Sequence, residues 1–311
     1  MNLASIDVGT NSTRLLISSY INGEIKTLVR EMHITRIGKG LKGSGILSEK
    51  NELLTIKTLK RYKLLIDKFK VKKYLAVGTS ALRRAGNSSE FVNKVLKETA
   101  IRLDIISGSK EAEFSFNGSV KNLNLLQNIK KSQKILVVDI GGGSSEFILG
   151  DAGSNIFLAK SIDIGCVRLS EDYLQSDPPE SQEVILLNKA IKEKIEKSLT
   201  DFKKYKNFII IGLAGTISAL ISISLGLKKY NMEKINYQTI DIKKIKIIFE
   251  NLCNLSLAER KKITGLEPKR ADVILGGAAI VIKVLEYFKK ERIIVCENDI
   301  LDGIIYSLAI I

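Results

Sequence analysis

Two segments of the chain repeat one pattern, and this repeat limits the fold more than any other feature of the sequence. Residues 3–9 read LASIDVG and residues 135–142 read ILVVDIGG. Each segment is a short apolar run that ends in Asp, one apolar residue and Gly. Such runs predict two buried strands, each leading into a polar loop. The repetition predicts an internal duplication of two α/β halves.

A second apolar stretch follows each polar loop at the spacing of a β-hairpin. In the first half, residues 14–20 and 25–29 flank a turn at Gly23. In the second half, residues 146–149 and 156–161 flank a turn at residues 151–153. The sequence therefore predicts that each half begins with the same strand, loop, strand, turn and strand.

Helical and extended patterns alternate along the rest of each half, which is typical of layered α/β folds. The apolar spacing predicts helices over residues 49–69, 91–100, 180–205 and 270–287, with a further helix that begins at Glu111. Strands are predicted over residues 73–77, 102–106, 208–211 and 292–295.

The charge balance favours an anionic partner. Lys and Arg number 49 against 34 Asp and Glu, which gives a formal net charge of +15. Such an excess suits nucleic acid, a membrane surface or a phosphate-rich small molecule, although lysines on solvated helix faces explain it equally well. A specific nucleic-acid partner is the least favoured, because only 6% of the residues are aromatic and no basic stripe is interleaved with them.

Several other classes of protein are disfavoured. No apolar run reaches the roughly 18–20 residues that cross a bilayer, and a strand pattern from Leu3 leaves no room for a signal peptide. Three cysteines without a CxxC pair predict neither a disulfide framework nor a zinc cluster, and the single histidine, His33, excludes a multi-histidine metal centre. We expect a cytoplasmic protein without a membrane partner. The oligomeric state stays open, with a homodimer as one option.

The first loop (residues 7–14) reads DVGTNSTR and has the chemistry of a phosphate site. Gly9 permits a sharp bend. Asp7 can hold Mg²⁺, which prefers one or two carboxylates together with phosphate oxygens. Hydroxyl, amide and guanidinium groups donate to phosphate oxygens, so the candidate phosphate ligands are Thr10, Asn11, Ser12 and Arg14. An ordinary hairpin with a polar turn is the alternative reading of this loop alone.

The second loop (residues 139–146) reads DIGGGSSE and favours the phosphate reading for both loops. Three consecutive glycines after a buried strand are costly to order and fit a set of amides turned toward an anion. The candidate phosphate ligands here are Gly141, Gly142, Gly143 and Ser144. Asp139 is a candidate metal ligand, and Glu146 is a candidate for holding the metal or its bound water. Together the loops predict two jaws on one phosphate group.

Further motifs follow in a fixed order along nearly the whole chain. They read DVGTNSTRLL, RIGKGL, VGTSALRRAGN, ISGSKEAE, VVDIGGGSSEF, DIGCVRL, GLAGT, RADVILGGAAI and NDILDG. The two loops resemble the phosphate motifs of the actin, sugar kinase and heat-shock chaperone ATPase superfamily. The full set more narrowly resembles the exopolyphosphatase/guanosine pentaphosphate phosphohydrolase family, in its short two-domain form.

The resemblance implies an α/β fold of two ribonuclease H-like domains flanking an active-site cleft. The expected N-terminal domain covers residues 1–125 and the C-terminal domain residues 126–299. A final helix, about residues 300–311, is expected to pack back on the first domain.

The resemblance also implies catalytic residues. The family's proposed base is the second carboxylate of a G-x-E-E-A signature, which here reads GSKEA, so Glu111 is the matching residue. Arg83 matches a substrate-facing phosphate ligand. Lys110 replaces the first glutamate of the signature and Glu113 stands where the family often has Arg, which bears on metal and substrate preference.

The implied function is Mg²⁺-dependent removal of the terminal phosphate of inorganic polyphosphate, so the expected partner is a polyanionic phosphate chain. Hydrolysis of guanosine pentaphosphate to the tetraphosphate at the same site is the nearest alternative. An ATP-dependent kinase and a non-catalytic polyphosphate- or nucleotide-binding regulator are more distant ones.

Overall fold

A computed structural model describes residues 1–21, 24–121, 123 and 129–310, so the predicted turn at Gly23 lies outside the described residues. The chain packs into two compact units. Unit 1 consists of Met1–Gly118 and Asn298–Ile311, and unit 2 consists of Ser119–Glu297. The sequence predicts the first boundary after residue 125, whereas the packing changes after Gly118.

The sheet of unit 1 has five strands in the order β3-β2-β1-β4-β5. Strands β1, β2 and β3 are antiparallel neighbours, while β4 and β5 run parallel to β1. This order is that of the ribonuclease H-like fold, which the sequence predicts. The strands are β1 (Asn2–Val8), β2 (Ser12–Ile21), β3 (Glu24–Ile34), β4 (Lys73–Gly78) and β5 (Leu103–Ile105).

Helices cover both faces of this sheet. They are α1 (Leu41–Ser44), α2 (Glu49–Lys68), α3 (Ser80–Arg84), α4 (Ser88–Thr99), α5 (Gly108–Val120) and the final helix α13 (Ile300–Ile310). Alternate residues of a strand point to opposite faces. Ile6 of β1 accordingly packs in one core with Ile56 of α2, whereas Leu3 packs in another with Ile304 of α13.

Unit 2 repeats this arrangement and adds one edge strand. Its sheet has the order β10-β11-β9-β6-β7-β8. Strands β6, β7 and β8 are antiparallel neighbours, while β9 pairs parallel with β6 and β11 pairs parallel with β9. The antiparallel β10 is the extra strand. The strands are β6 (Lys134–Ile140), β7 (Ser145–Asp151), β8 (Ile156–Ile162), β9 (Ile209–Leu213), β10 (Thr239–Asp241) and β11 (Arg292–Val295).

Four of the predicted helix boundaries differ by three or more residues from those of the structure. Helix α4 begins at Ser88 rather than at residue 91. The helix expected over residues 180–205 ends at Ser198, and a 3₁₀ turn follows over Thr200–Lys204, where Thr and Asp are weak helix formers. The helix expected from residue 270 begins at Ile274, after a 3₁₀ turn over Pro268–Arg270. Helix α5 begins at Gly108, which places Glu111 in its first turn.

The helices of unit 2 enclose the largest core of the chain. They are α6 (Cys166–Tyr173), α7 (Ser181–Ser198), α8 (Gly215–Ser224), α9 (Met232–Ile235), α10 (Ile242–Cys253), α11 (Leu257–Arg260) and α12 (Ile274–Tyr287). Helix α12 is buried on nearly all sides, which explains why its sequence is almost wholly apolar. None of the helices in the described part of the chain combines the length and apolar character that a membrane span requires.

Helices α5 and α13 of unit 1 touch through their backbones. A Cβ atom added to Gly118 would lie 1.9 Å from the carbonyl oxygen of Asp299, and one added to Gly303 would lie 1.9 Å from that of Phe114. Any side chain at either position would therefore force the helices apart. The two glycines let the final helix pack closely against α5.

We expect Gly303→Ala to destabilise the protein by about 1–3 kcal/mol, because the added methyl group overlaps rigid backbone. The midpoint of urea unfolding measures this loss. Gly43→Ala is the matched control, since a Cβ at Gly43 meets nothing within 4 Å. Equal midpoints for the two variants would contradict the proposed packing.

Candidate active site

The two polar loops share one backbone geometry. In the first loop the amide of Gly9 donates to the carbonyl of Ser12, and in the second the amide of Gly141 donates to that of Ser144, both at 3.0 Å. The flanking strands pair in the same register, so that Asp7 lies opposite Arg14 and Asp139 lies opposite Glu146. The repeat seen in the sequence thus extends to single hydrogen bonds.

A segment that follows the third strand of each unit supports its loop. In unit 1 the amide of Gly38, within the RIGKGL motif, donates to the carbonyl of Thr10 at 3.0 Å. In unit 2 the amides of Cys166 and Val167, within the DIGCVRL motif, donate to the carbonyls of Gly141 and Gly142 at 2.9 Å. Both motifs therefore have a local structural role, which is to fix the bend of the loop.

Polar atoms without partners lie in the first loop. Asp7 is 4% exposed and Asn11 is 7% exposed. Oδ1 of Asp7 and both Oδ1 and Nδ2 of Asn11 are buried without a hydrogen-bond partner. A buried, unsatisfied polar group costs about 1–3 kcal/mol. Because these unpaired atoms lie in a loop that is predicted to bind phosphate, they indicate that Asp7 and Asn11 are arranged to bind a ligand.

Arg14, a predicted phosphate ligand, binds two carboxylates of unit 1. Its Nε and Nη2 donate to Oδ2 of Asp7 at 3.0 and 2.6 Å, and its Nη1 donates to Oδ2 of Asp299. Burial raises the pKa of Asp7, and the charge of Arg14 and its hydrogen bond oppose that shift. Arg14 thus fixes the Asp7 side chain, and its contact with phosphate stays a prediction.

The predicted base and a predicted phosphate ligand form an ion pair. Nη1 of Arg83, at the end of α3, lies 2.5 Å from Oε2 of Glu111 and also donates to the carbonyl of Ile106 at 3.1 Å. The amide of Glu111 donates to the carbonyl of Ser107, as the first helical turn of α5 requires. The structure therefore brings Arg83 and Glu111 together from separate elements, while their catalytic roles stay predictions.

Glu146 is held firmly in unit 2. It is 1% exposed, and its Oε1 accepts hydrogen bonds from the hydroxyls of Ser144 at 2.9 Å and Ser161 at 2.7 Å. Its cross-strand neighbour is Asp139, which is also buried. Side chains of such a pair lie on the same face of a sheet, so two carboxylates adjoin the second loop.

The remaining predicted ligands lie in the loops as expected from their sequence positions. Thr10 is buried, Ser12 is half-buried, and Gly141, Gly142 and Gly143 form the bend of the second loop. Within the described residues, no group of three or more His, Cys, Asp or Glu side chains is arranged to hold a metal ion.

Four polar residues in the hydrogen-bond networks of the two loops are not among the predicted ones: Arg30, Asp299 and Asp302 in unit 1 and Ser161 in unit 2. The NDILDG motif contains both aspartates, but nothing in its spacing connects them to residues at the start of the chain. Arg30 and Ser161 lie on β3 and β8 among other polar residues of those strands. The predicted hairpin of β7 and β8 places Ser161 opposite Glu146, whereas only the tertiary structure shows the partners of Arg30.

The strand order and the paired loops define an actin-like protein, with two ribonuclease H-like units that each carry a phosphate-type loop. The family model of the Ppx/GppA phosphatase family matches residues 16–310. The chain therefore belongs to the Ppx/GppA phosphatase family, which confirms the resemblance found in the motifs.

Relatives similar to this chain are named for different activities. A bifunctional 3-dehydroquinate synthase/phosphatase of Fusobacterium nucleatum is 38% identical over 97% of this chain, which spans only 46% of that protein. Exopolyphosphatase 2 of Mycobacterium tuberculosis is 33% identical over 99% of this chain and 98% of its own length. A guanosine-5'-triphosphate,3'-diphosphate pyrophosphatase of Photobacterium profundum is 28% identical over 98% of this chain and 59% of its own length.

A solved structure supports the fold. An exopolyphosphatase from Cytophaga hutchinsonii has a TM-score of 0.90 to this chain at 27% sequence identity, and the alignment covers 99% of this chain and 98% of the other.

We expect Asn11→Leu to leave the ligand-free protein within about 1 kcal/mol of wild type or more stable, because an apolar group of similar shape replaces unsatisfied polar atoms. The variant should lose the thermal stabilisation that tripolyphosphate with Mg²⁺ gives the wild type. Differential scanning calorimetry with and without that ligand measures both effects.

Asn87→Leu is the matched control. The side chain of Asn87 exchanges hydrogen bonds with the backbone of Leu47 and donates to Glu52 at 3.0 Å. Its replacement should destabilise by about 1–3 kcal/mol and keep the response to tripolyphosphate. Equal destabilisation by both substitutions would show that Asn11 is an ordinary structural residue.

Proposed function

We propose that this protein is an exopolyphosphatase, which hydrolyses the terminal phosphoanhydride of inorganic polyphosphate with Mg²⁺. The observation that carries the proposal is the set of buried polar atoms without partners in the first loop, on Asp7 and Asn11. A phosphoryl group with its cation would satisfy donor and acceptor atoms at once. Exopolyphosphatase 2, aligned over 98% of its length, supports the choice of substrate.

In the proposed reaction, a water oxygen attacks the terminal phosphorus while the bond to the bridging oxygen breaks. The shortened polyphosphate leaves with that oxygen. Glu111 orients the water and takes its proton. Because Arg83 touches Glu111, a phosphoryl group bound to Arg83 would lie beside the base, and this proximity lowers the barrier.

The residues fit a divalent cation. Mg²⁺ binds oxygen and commonly uses one or two carboxylates with water and phosphate oxygens. Asp7 would hold it through Oδ1, the buried oxygen that has no partner. Asp139 and Glu146 offer a pair of carboxylates in unit 2. When bound, Mg²⁺ would neutralise negative charge on the phosphate oxygens.

Guanosine pentaphosphate is the second candidate substrate. It presents the same terminal phosphoanhydride to the same residues, and the relative from Photobacterium profundum is named for a guanosine substrate. We prefer polyphosphate because the relative with that name matches along nearly its whole length. The net charge of +15 suits either polyanion.

We further propose that the activity is cytoplasmic, which the free thiols of Cys166, Cys253 and Cys296 support. A homodimer is the assembly that we would test first. Sedimentation velocity at several protein concentrations measures the oligomeric state, and a single monomeric species throughout would rule the homodimer out.

We expect Glu111→Gln to lower the rate of phosphate release from long-chain polyphosphate at least about 100-fold, since the variant lacks the proton acceptor. Glu90→Gln is the matched control, because Glu90 is also an acid in the first turn of a helix. Phosphate release with Mg²⁺ is measured for both variants and the wild type, with polyphosphate, guanosine pentaphosphate and ATP in parallel. Removal of Mg²⁺ with EDTA should stop the wild-type reaction.

The substrate series separates the candidates. Preferred release from guanosine pentaphosphate would transfer the proposal to that substrate. Phosphate transfer to ADP without release to water would indicate a kinase, and binding without either reaction would indicate a regulator. If Glu111→Gln and wild type released phosphate at the same rate, the base would be another residue.

A further inference from the structure

Arg14 binds Asp7 in an unusual way. Arginine and carboxylate commonly form a fork in which two N–H groups meet two oxygens. Here Nε and Nη2 of Arg14 both donate to the same oxygen, Oδ2 of Asp7, at 3.0 and 2.6 Å. The other oxygen, Oδ1, is buried and has no partner. The usual fork would have covered Oδ1.

Asp299 explains this geometry, because it holds the third nitrogen of the guanidinium. Nη1 of Arg14 donates to Oδ2 of Asp299. The guanidinium is planar and rigid, so fixing Nη1 at Asp299 sets the angle at which Nε and Nη2 reach Asp7. Asp299 lies just before the final helix α13, far along the chain from Arg14 and Asp7.

Asp299 is itself fixed from several sides. Its Oδ1 accepts from the amide of Leu301 at 3.0 Å and lies 3.9 Å from Nη1 of Arg30. Its own amide donates to Oδ2 of Asp302 at 3.0 Å, and Nη2 of Arg30 donates to that same oxygen at 2.5 Å. Asp299 is therefore a rigid support for Arg14.

The charges of this cluster agree with a cation at Asp7. The ion pairs of this cluster join three carboxyl groups (Asp7, Asp299 and Asp302) to two guanidinium groups (Arg14 and Arg30). A partly buried cluster with an excess carboxylate favours an additional positive charge. The atom best placed to receive it is Oδ1 of Asp7, which the two arginines leave uncovered.

We propose that Asp299 is a positioning residue for the metal ligand Asp7: it keeps Arg14 from forming the two-oxygen fork and so leaves Oδ1 without a hydrogen-bond partner, as a ligand for a divalent cation. This inference rests on the proposed function, in which Asp7 holds Mg²⁺. It assigns a role at the metal site to the segment that leads into the final helix.

Mn²⁺ binding tests this role without a catalytic assay. The free Mn²⁺ signal in electron paramagnetic resonance gives the dissociation constant for wild type, Asp299→Asn and Asp104→Asn. In Asp299→Asn, the uncharged side chain holds Nη1 less strongly than the carboxylate does, and Arg14 is expected to turn onto both oxygens of Asp7. The dissociation constant should rise roughly tenfold or more, as is typical when the support of a metal ligand is lost. Asp104→Asn, an exposed surface change, should bind as wild type does.

A second substitution distinguishes positioning from loss of structure. Lysine carries a point charge and cannot form a fork, so Arg14→Lys in the Asp299→Asn background should restore most of the lost Mn²⁺ affinity. A variant that had merely become less folded would not regain affinity from a second change. Thermal unfolding of each protein confirms that it is folded, and Arg14→Lys alone provides the fourth corner of the cycle.

The outcomes separate the inference from the proposed function. Unchanged Mn²⁺ affinity in Asp299→Asn, with wild-type phosphate release intact, would overturn the positioning role and leave the hydrolase proposal standing. Additive losses in the double variant would also overturn it. If the wild type bound no Mn²⁺ and released no phosphate, both proposals would fail. Reduced affinity in Asp299→Asn that Arg14→Lys restores would support the inference.

Discussion

The ion pairs of Arg14 connect the first strand of the chain to its last helix. Arg14 binds Asp7 at the end of β1 and Asp299 just before α13. Unit 1 is therefore complete only when the C-terminal segment has returned to it, after the whole of unit 2 has been made. The closure is reinforced by Gly118 and Gly303, at which the backbones of α5 and α13 meet. Loop closure over so long a separation is entropically costly, and the charged cluster and the apolar contacts of α13 offset that cost.

The same contacts keep the first loop in a state that would be unfavourable by itself. Buried polar atoms are usually hydrogen-bonded, and exceptions call for an explanation. Asp7 and Asn11 are such exceptions, while the loop around them is fixed by Gly38 and by the turn at Gly9. A rigid loop with unsatisfied groups is preorganised, so ligand binding need not order it. The unpaired polar atoms of Asp7 and Asn11 lower the stability of the folded protein, and the packing of the rest of unit 1 offsets this loss.

Much of this arrangement could be predicted from the sequence, because it depends on local patterns. The apolar runs before Asp7 and Asp139 identify β1 and β6, and the turn residues identify the hairpins after them. The α/β alternation and the two loops follow from the same signals. Helix ends do not follow from these signals, because nothing in the apolar spacing marks Ser198 rather than Tyr205 as the end of α7. The contact of Arg14 with Asp299 could not be foreseen, since 285 residues separate them and only packing brings them near. Ser161, in contrast, lies opposite Glu146 in the predicted hairpin of β7 and β8.

The two loops carry oppositely charged residues at the position that pairs with their aspartate, and this gives the loops different chemical properties. The residue opposite the aspartate that begins each loop is Arg14 in unit 1 and Glu146 in unit 2. In unit 1 the arginine offsets the negative charge of Asp7, and the excess charge arises only through Asp299 and Asp302. In unit 2 the glutamate adds to the charge of Asp139, and two serine hydroxyls hold it in place. Adjacent carboxylates repel each other, so they favour a cation or a shared proton between them. Two loops with the same backbone therefore differ in the group that faces the aspartate, a guanidinium in unit 1 and a second carboxylate in unit 2.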